Sequence, residues 1–154
     1  MNDGTAETHP LTRLEKLAEF RFQLRRFLNF SELESERFGI GAQQYQLMQV
    51  IGAMPPGEAA SISYLAERMI LRHNSTVELV DRAERAELVK RTSDQRDLRR
   101  SIVVLTPKGE QILQRLIEAH LAQLEGDTGD HLLRSLSELR GSGASAEDAT
   151  ERSL

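Results

Sequence analysis

One stretch, residues 61–109, constrains the fold of this chain more than any other part of it. Two short amphipathic helical patterns are followed by two β-rich runs with a charged segment between them. Thr106-Pro107 then suits the start of another helix, since Thr is a good N-cap and Pro fits the first helical position. This order predicts a winged helix-turn-helix, a mainly α fold with a small β-hairpin wing. The helical patterns cover residues 61–69 and 73–87, and the β-rich runs cover 88–92 and 102–105.

Helical patterns also flank this stretch on both sides. Residues 11–38 carry leucines and phenylalanines at three- and four-residue spacing, which predicts one helix about 40 Å long. A helix of that length overshoots a small domain, so we expect a second subunit to cover its apolar face. Further helices are predicted at residues 42–54, 107–125 and 131–140, with a turn at 126–130.

The expected organisation is a single domain at residues 11–140. Its winged lobe spans about residues 40–108, and helices at 11–38 and 107–140 form a dimerisation layer. The flanking residues 1–10 and 141–154 are polar and lack periodicity, which predicts a flexible N-terminus and a disordered tail.

Composition and charge restrict the classes of function. The absence of cysteine excludes disulfides, thiolate metal sites and thiol redox sensing. We recognise no signal peptide and no apolar run near 18 residues, so we expect a cytoplasmic protein without membrane contact. The net charge of −4 argues at first against nucleic acid, yet residues 90–108 hold six basic and two acidic side chains, whereas 110–154 hold nine acidic and four basic ones. This distribution favours a positive wing.

Three sequence motifs carry a family resemblance. They are the run LVDRAERAELVKR, the run Asp97-Leu98-Arg99-Arg100, and Leu105-Thr106-Pro107-Lys108-Gly109. Together they resemble the multiple-antibiotic-resistance regulator (MarR) family, and the most specific part is Asp-x-Arg at a fixed distance before Leu-Thr-x-x-Gly. The resemblance covers about residues 11–140. Glu87 stands where that family usually has Gly, and Ala83 stands where it usually has Leu.

The resemblance implies a sequence-specific DNA-binding transcriptional regulator. Such a protein is expected to act as a repressor, to bind a pseudo-palindromic operator as a homodimer, and to be released by a small anionic or aromatic effector. The resemblance further implies an effector pocket between the dimer layer and the winged lobe. Its candidate lining residues, for which core packing is the other interpretation, are Arg26, Phe27, Phe30 and Tyr45.

The second helix of the motif is the predicted recognition helix. Asn and Arg side chains can pair bidentately with adenine and guanine edges, Ser can reach bases or phosphates, and Glu can accept from cytosine. Its apolar face, together with Thr76, should pack inward. The candidate DNA-binding residues on this helix are His73, Asn74, Ser75, Thr76, Glu78 and Arg82.

The wing supplies the second group of candidates. By resemblance, Arg99 enters the minor groove and Asp97 holds an arginine in position. A guanidinium suits the narrow, negative groove of A·T-rich DNA. The other basic residues are expected at phosphates or in solvent. The candidate DNA-binding residues of the wing are Lys90, Arg91, Arg96, Asp97, Arg99 and Arg100.

The sequence shows no recognisable catalytic or metal-binding pattern. It contains no H-x-x-x-H, no G-x-S-x-G and no phosphate-binding glycine loop, so we expect no enzyme, no cofactor and no metal site. Two alternatives stay open. One is a helical dimeric ligand- or protein-binding module that has lost DNA binding, favoured by the acidic net charge and by the acids of the predicted recognition helix. The other is a metal-responsive regulator that uses His120 and His131.

Overall fold

Six helices and one antiparallel hairpin make up the described part of the chain, which is residues 10–147 of a computed structural model, with side chains described for 12–141. The fold is mainly α with a small wing, as the sequence predicts. The elements are α1 (Pro10–Arg37), α2 (Ala42–Gly52), α3 (Ile62–Met69), α4 (His73–Arg85), β1 (Val89–Ser93), β2 (Ser101–Leu105), α5 (Pro107–Glu125) and α6 (Asp127–Glu147).

The chain divides into two units. One is Ser31–His120, which contains the helix-turn-helix and the hairpin. The other, called the helical unit below, combines residues 10–30 with 121–147. These bounds differ from the lobe and the dimerisation helices expected above, whose roles stay predictions. Within residues 10–147, no helix has both the length and the apolar character needed to cross a membrane.

The core of the Ser31–His120 unit lies where helices α2 to α5 meet the hairpin. Apolar residues at three- and four-residue spacing turn one face of each helix inward, and burying that face is the main favourable contribution to folding. The hairpin adds alternate residues of its strands. Members of this core with no more than 2% of their surface exposed are Leu47, Met48, Leu65, Leu79, Val80, Ala83, Leu88, Val89, Val103 and Leu116.

The two strands pair antiparallel, with Val89 opposite Leu105 and Ser93 opposite Ser101. The outer edge of β2 is also engaged, because the N–H of Val103 donates to the carbonyl of Ala60 at 2.9 Å. Since Ala60 directly precedes the N-cap of α3, this bond links the wing to the start of the helix-turn-helix.

The ends of the first three helices follow the chemistry expected from the sequence. Gly39, with φ of +73°, ends α1 as predicted, since glycine adopts this conformation without a Cβ penalty. Gly41 is the N-cap of α2, and its N–H donates to Oε1 of Gln44 at 3.0 Å. Ser61 caps α3 by accepting the N–H of Tyr64.

The Leu-Thr-x-x-Gly motif fastens α5 to the residues that follow α4. Thr106 caps α5 by accepting the N–H of Gly109 at 3.0 Å, and its own N–H donates to the carbonyl of Leu88 at 3.1 Å. A Cβ on Gly109 would lie only 2.0 Å from that carbonyl oxygen. The motif therefore needs glycine because two backbones touch at this position.

The last helix departs from the sequence prediction. The predicted turn at residues 126–130 is wrong, because only Gly126 separates α5 from α6, which begins at Asp127. Asp127 and Asp130 in the first turn favour this helix start. Gly129 is needed for a close approach and not for a turn, since a Cβ there would lie 1.7 Å from the carbonyl oxygen of Leu124.

The backbone of α6 is helical to Glu147, so a disordered tail is wrong for residues 141–147. Alanines at 144 and 146 favour helix there and offset the glycines at 141 and 143. The rest of the predicted tail, 148–154, and nearly all of the predicted flexible N-terminus, 1–9, lie outside the described residues.

Candidate nucleic-acid interface

Helix α4 presents one buried and one exposed face. The buried face holds Leu79, Val80 and Ala83, each with no more than 1% exposed. The opposite face offers amide, hydroxyl and guanidinium groups that can reach an external ligand. Its exposed members are His73, Asn74, Ser75, Glu78 and Arg82, all of them predicted above.

The position of Thr76 in the structure differs from the prediction that it contacts DNA. It is fully buried, and its hydroxyl donates to the carbonyl of Arg72 at 3.0 Å. Thr76 therefore belongs to the packed face of α4, and the prediction that it contacts DNA is wrong. The reason is geometric, because residue 76 shares a helix face with Leu79, Val80 and Ala83.

The N-terminus of α4 has no side-chain cap. Its N-cap residue is Arg72, which is exposed and makes no capping hydrogen bond. Backbone N–H groups and the positive end of the helix dipole thus remain open to an anion beside the exposed Arg72 guanidinium, which has no ion pair among the described residues. Sequence reasoning missed Arg72, although a basic residue directly before a recognition helix was the signal that could have identified it.

The C-terminal half of α4 is held by Arg91 of β1. The Arg91 guanidinium lies 2.7 Å from Oδ1 of Asp81 and 2.8 Å from Oε1 of Glu84, and the Arg91 N–H donates to Glu84 at 2.9 Å. Burial lowers the Arg91 pKa, but the hydrogen bonds and charges of the two carboxylates outweigh it and leave the pKa raised. Arg91 was predicted to contact DNA; its guanidinium pairs with two carboxylates of α4, and the DNA contact stays a prediction.

Lys108 adds a second attachment at the same end of α4. Its Nζ donates to the carbonyl of Ala86 at 3.0 Å and lies 3.9 Å from the carboxylate of Glu87. Glu87 has φ of +60°, which is the conformation for which glycine is favoured at a helix end. The wing and α5 thus fix the orientation of α4 from its C-terminal side.

Two aspartates shape the loop between the strands. The buried Asp94 accepts the N–H of Arg96 at 2.9 Å, and the exposed Asp97 accepts the N–H of Arg99 at 3.1 Å. Asp97 therefore holds the backbone of Arg99 in a short turn, and no bond from Asp97 to an arginine side chain is among the described contacts. The loop is closed by a bond from the Asp94 N–H to the Arg100 carbonyl at 2.9 Å.

Four basic side chains of the wing differ from Arg91 in having no described ion pair. Each is exposed, and none forms an ion pair with another residue of the described part of the chain. Leu98 stands among them with 78% of its surface exposed, an apolar residue that the sequence analysis did not single out. The four basic residues are Lys90, Arg96, Arg99 and Arg100.

The four predicted effector-pocket residues fall in different units. Arg26, Phe27 and Phe30 lie in the helical unit, where the Arg26 guanidinium is 5.9 Å from the ring centroid of Phe22. Tyr45 lies in the Ser31–His120 unit, where it is buried and stacks on His120 with ring centroids 4.5 Å apart. Burial raises the Tyr45 pKa above its ordinary value. A pocket lined by these four residues stays a prediction.

His120 is a hydrogen-bonded residue of the core. It is buried, one ring nitrogen lies 2.6 Å from the carbonyl oxygen of Leu116, and the other lies 2.8 Å from the hydroxyl of Ser31. Since a carbonyl only accepts, Nδ1 carries a proton and is not free to bind a metal. His131 is exposed on α6, and no cluster of three metal-binding side chains occurs in the part of the chain that the structure describes.

Comparison with known proteins gives one family. The model of the MarR family matches residues 38–100. An uncharacterized HTH-type transcriptional regulator of Bacillus subtilis (strain 168), YsmB, is 36% identical over 72 residues, which are 47% of this chain and 45% of the relative. The match thus spans less than half of that relative's length.

Several solved structures share the fold of this chain. A MarR family transcription regulator, SP03579, aligns with a TM-score of 0.68 at 20% identity over 94% of this chain and 97% of its own. A MarR family protein from Bacillus stearothermophilus aligns at 0.64 and 24% identity, over 94% and 99%. The DNA complex of MepR from S. aureus aligns at 0.59 and 19% identity, over 80% and 96%. At these identities the likeness concerns the fold.

Proposed function

We propose that this chain, whose residues 38–100 match the MarR family model, is a MarR-type sequence-specific DNA-binding transcriptional regulator. The observation that carries the proposal is the joining of α4 to the wing through Arg91, Asp81 and Glu84. A polar helix face and a basic hairpin are thereby held in one rigid unit. This is the arrangement that reads a major groove and an adjacent backbone or minor groove.

The charges on α4 bear on the alternative of a module that has lost DNA binding. That alternative rests on four acids, Glu78, Asp81, Glu84 and Glu87, which would repel phosphates. Asp81 and Glu84 are paired with Arg91, and Glu87 lies near Lys108. Only Glu78 then remains as an exposed acid without a described ion pair, so the acidic residues of α4 weigh little against DNA.

We propose that the working form is a homodimer, because large apolar side chains stand exposed on the helical unit. Two recognition helices one DNA turn apart, about 34 Å, would read half-sites spaced near 10 base pairs in a pseudo-palindromic operator. Family resemblance supports a cytoplasmic repressor that a small molecule releases by favouring a dimer geometry unable to fit successive grooves. The exposed side chains are Leu14, Leu17, Phe22, Leu28, Leu121, Leu124, Leu133 and Leu136.

The test of this proposal is selection of duplexes from a random pool, followed by affinity measurements on two single variants. Arg82→Ala should relax the preference at one base position, with a loss of about 1–3 kcal/mol in discrimination. Lys90→Ala, the control on the wing, should weaken all sequences alike and lower the salt slope by about 1. Failure of the selection to enrich any sequence would contradict sequence-specific binding.

A further inference from the structure

The tip of the wing carries an apolar side chain at a position where turns favour small or polar ones. Leu98 and Arg99 are the central residues of a turn that the Arg100 N–H closes by donating to the Asp97 carbonyl at 2.9 Å. Gly, Pro, Asn, Asp and Ser dominate turns, each for a conformational reason that does not apply to leucine. Since 78% of the Leu98 surface is exposed, packing within this chain does not account for leucine there either.

The turn is held by hydrogen bonds on both sides of Leu98. The Asp97 carboxylate accepts the N–H of Arg99 at 3.1 Å, and the Asp94 N–H donates to the carbonyl of Arg100 at 2.9 Å. The first bond fixes the turn itself, and the second closes the loop at its base. Leu98 is therefore presented from a defined backbone conformation.

The loop of the wing also rests on the rest of the unit. The Arg96 guanidinium lies against the loop between α2 and α3, so close that a Cβ on Gly57 would be 3.0 Å from Nη2. The bond from the Val103 N–H to the Ala60 carbonyl supports β2 from the same loop. The wing is thus braced at two points, as a hairpin must be if its tip is to press against a ligand.

Leu98 lies on the side of the wing that is joined to the recognition helix. Leu98 and Arg99 border one hollow together with residues 91–93 of β1, whereas Arg96 borders a different groove with Gly57. Within β1, Arg91 pairs with two carboxylates of α4. The strand that shares the hollow with Leu98 is therefore the strand that is bound to α4.

The charges around Leu98 indicate the partner. Arg96, Arg99 and Arg100 are exposed, and none has an ion pair in the described part of the chain, so the leucine stands in a positive field. Such a field favours a polyanion. A stable protein partner needs roughly 800 Å² from each side, far more than one leucine supplies. In contrast, one leucine is enough to act as a wedge between two base pairs.

We infer that Leu98 is an apolar wedge that enters the minor groove beside Arg99 and partly unstacks one base step. This inference rests on the DNA binding proposed above. Leucine has no hydrogen-bond donor or acceptor in its side chain, so it selects sequence through the cost of deforming the duplex. Pyrimidine–purine steps such as TA and CA are the easiest to unstack. The operator therefore carries such a step at the position of each wing.

The test compares operator duplexes that differ in one flanking step, TA or AA, moved one base pair at a time. Both steps contain only A·T pairs and present the same kinds of acceptor in the minor groove. An AA step is stiffer and its groove is narrower, which favours an arginine, whereas a wedge favours TA. At one position in each half-site, the wild-type chain should bind the TA duplex about fivefold more tightly.

Three variants separate the leucine from the arginine beside it. Leu98→Ala should bind the two duplexes within about twofold of each other, whereas Leu98→Met, which keeps apolar bulk, should retain most of the preference for TA. Arg99→Ala should bind both duplexes more weakly and still prefer TA. The free energy of unfolding of Leu98→Ala should equal that of the wild-type chain, because the Leu98 side chain is exposed.

Permanganate gives a second readout, because it oxidises thymines that have lost their stacking. At saturating protein, the thymine of the TA step should become reactive with the wild-type chain and stay protected with Leu98→Ala. Equal wild-type affinity for TA and AA at every position, or an unchanged preference in Leu98→Ala, would overturn the wedge and leave DNA binding standing. Binding to no duplex would contradict the proposed function, and the wedge with it.

Discussion

Ile70 is the least expected residue in the helix-turn-helix. It ends α3 with φ of +53°, and 92% of its surface is exposed. A left-handed backbone costs a β-branched residue roughly 1–2 kcal/mol, and the exposed side chain recovers little of this cost through burial. The turn between the two helices therefore stores strain at a position where glycine would be relaxed.

Replacing Ile70 by glycine should stabilise the protein. Relief of strain should outweigh the added entropy of the unfolded chain, which gives a gain of about 0.5–1 kcal/mol in the free energy of unfolding. Chemical denaturation at matched protein concentration measures this gain, and Ile70→Val serves as a control that keeps the β-branch. A lower free energy of unfolding for Ile70→Gly would show that the Ile70 side chain has a stabilising contact.

The sequence predicted which single side chains are charged and exposed more successfully than it predicted which residues those side chains bind. Arg99 and Arg82 are exposed, as a basic wing and a polar helix face require. The ion pairs of Arg91 were not predicted, because its partners are residues that only the folded backbone brings near. Thr76 was assigned to DNA wrongly, although its helical spacing from Leu79, Val80 and Ala83 already indicated the packed face. The Asp81–Arg91 contact spans ten residues, which no helical or strand period indicates.

Arg91 also acts at the scale of elements, because it joins a strand to a helix. We expect Arg91→Gln to lower the free energy of unfolding by only about 1 kcal/mol, since the side chains of Asp81 and Glu84 are 48% and 41% exposed. Two carboxylates of α4 would then lose their counter-charge beside the DNA, and α4 would lose its attachment. Operator affinity should therefore fall more than stability does.

Denaturation and binding titrations on Arg91→Gln separate this account from a direct phosphate contact. The neighbouring variant Lys90→Gln is the control and should leave stability unchanged, because Lys90 has no described ion pair. Unchanged stability in Arg91→Gln with a salt slope lower by about 1 would mean that Arg91 binds a phosphate instead.

Element bounds were predictable where a residue has one dominant preference. Gly39 ends α1, Ser61 caps α3 and Pro107 begins α5, each at the predicted position. The start of α6 was not predictable in this way, because Gly129 reads as a turn residue and is present for contact with the carbonyl of Leu124. A close approach between backbones leaves no periodic signal in the sequence.

At the scale of the whole molecule, exposed leucines are the feature that needs an explanation. Leu133 is 66% exposed and Leu14 is 59% exposed, and with their neighbours they give the helical unit a large apolar surface. Soluble monomers rarely expose apolar patches of this kind unless a partner covers them. A second copy of the chain is the partner that the proposed function requires.

A charge introduced on this surface should separate the subunits. Sedimentation velocity should show a dimer for the wild-type chain and a monomer for Leu133→Glu, because burying an unpaired carboxylate in an apolar interface costs several kcal/mol. Leu98→Glu, at a leucine of the wing that is 78% exposed, should remain a dimer. A wild-type monomer at micromolar concentration would remove the basis for paired half-sites.

The most direct test of the account is the affinity of the wild-type chain and of Arg99→Ala for a selected operator duplex over a range of salt. We predict that the logarithm of the wild-type association constant falls linearly with the logarithm of salt concentration, and that Arg99→Ala binds at least tenfold more weakly while remaining a dimer. Equal affinities of the two proteins, or binding that does not depend on salt, would contradict a DNA-binding surface built from α4 and the wing.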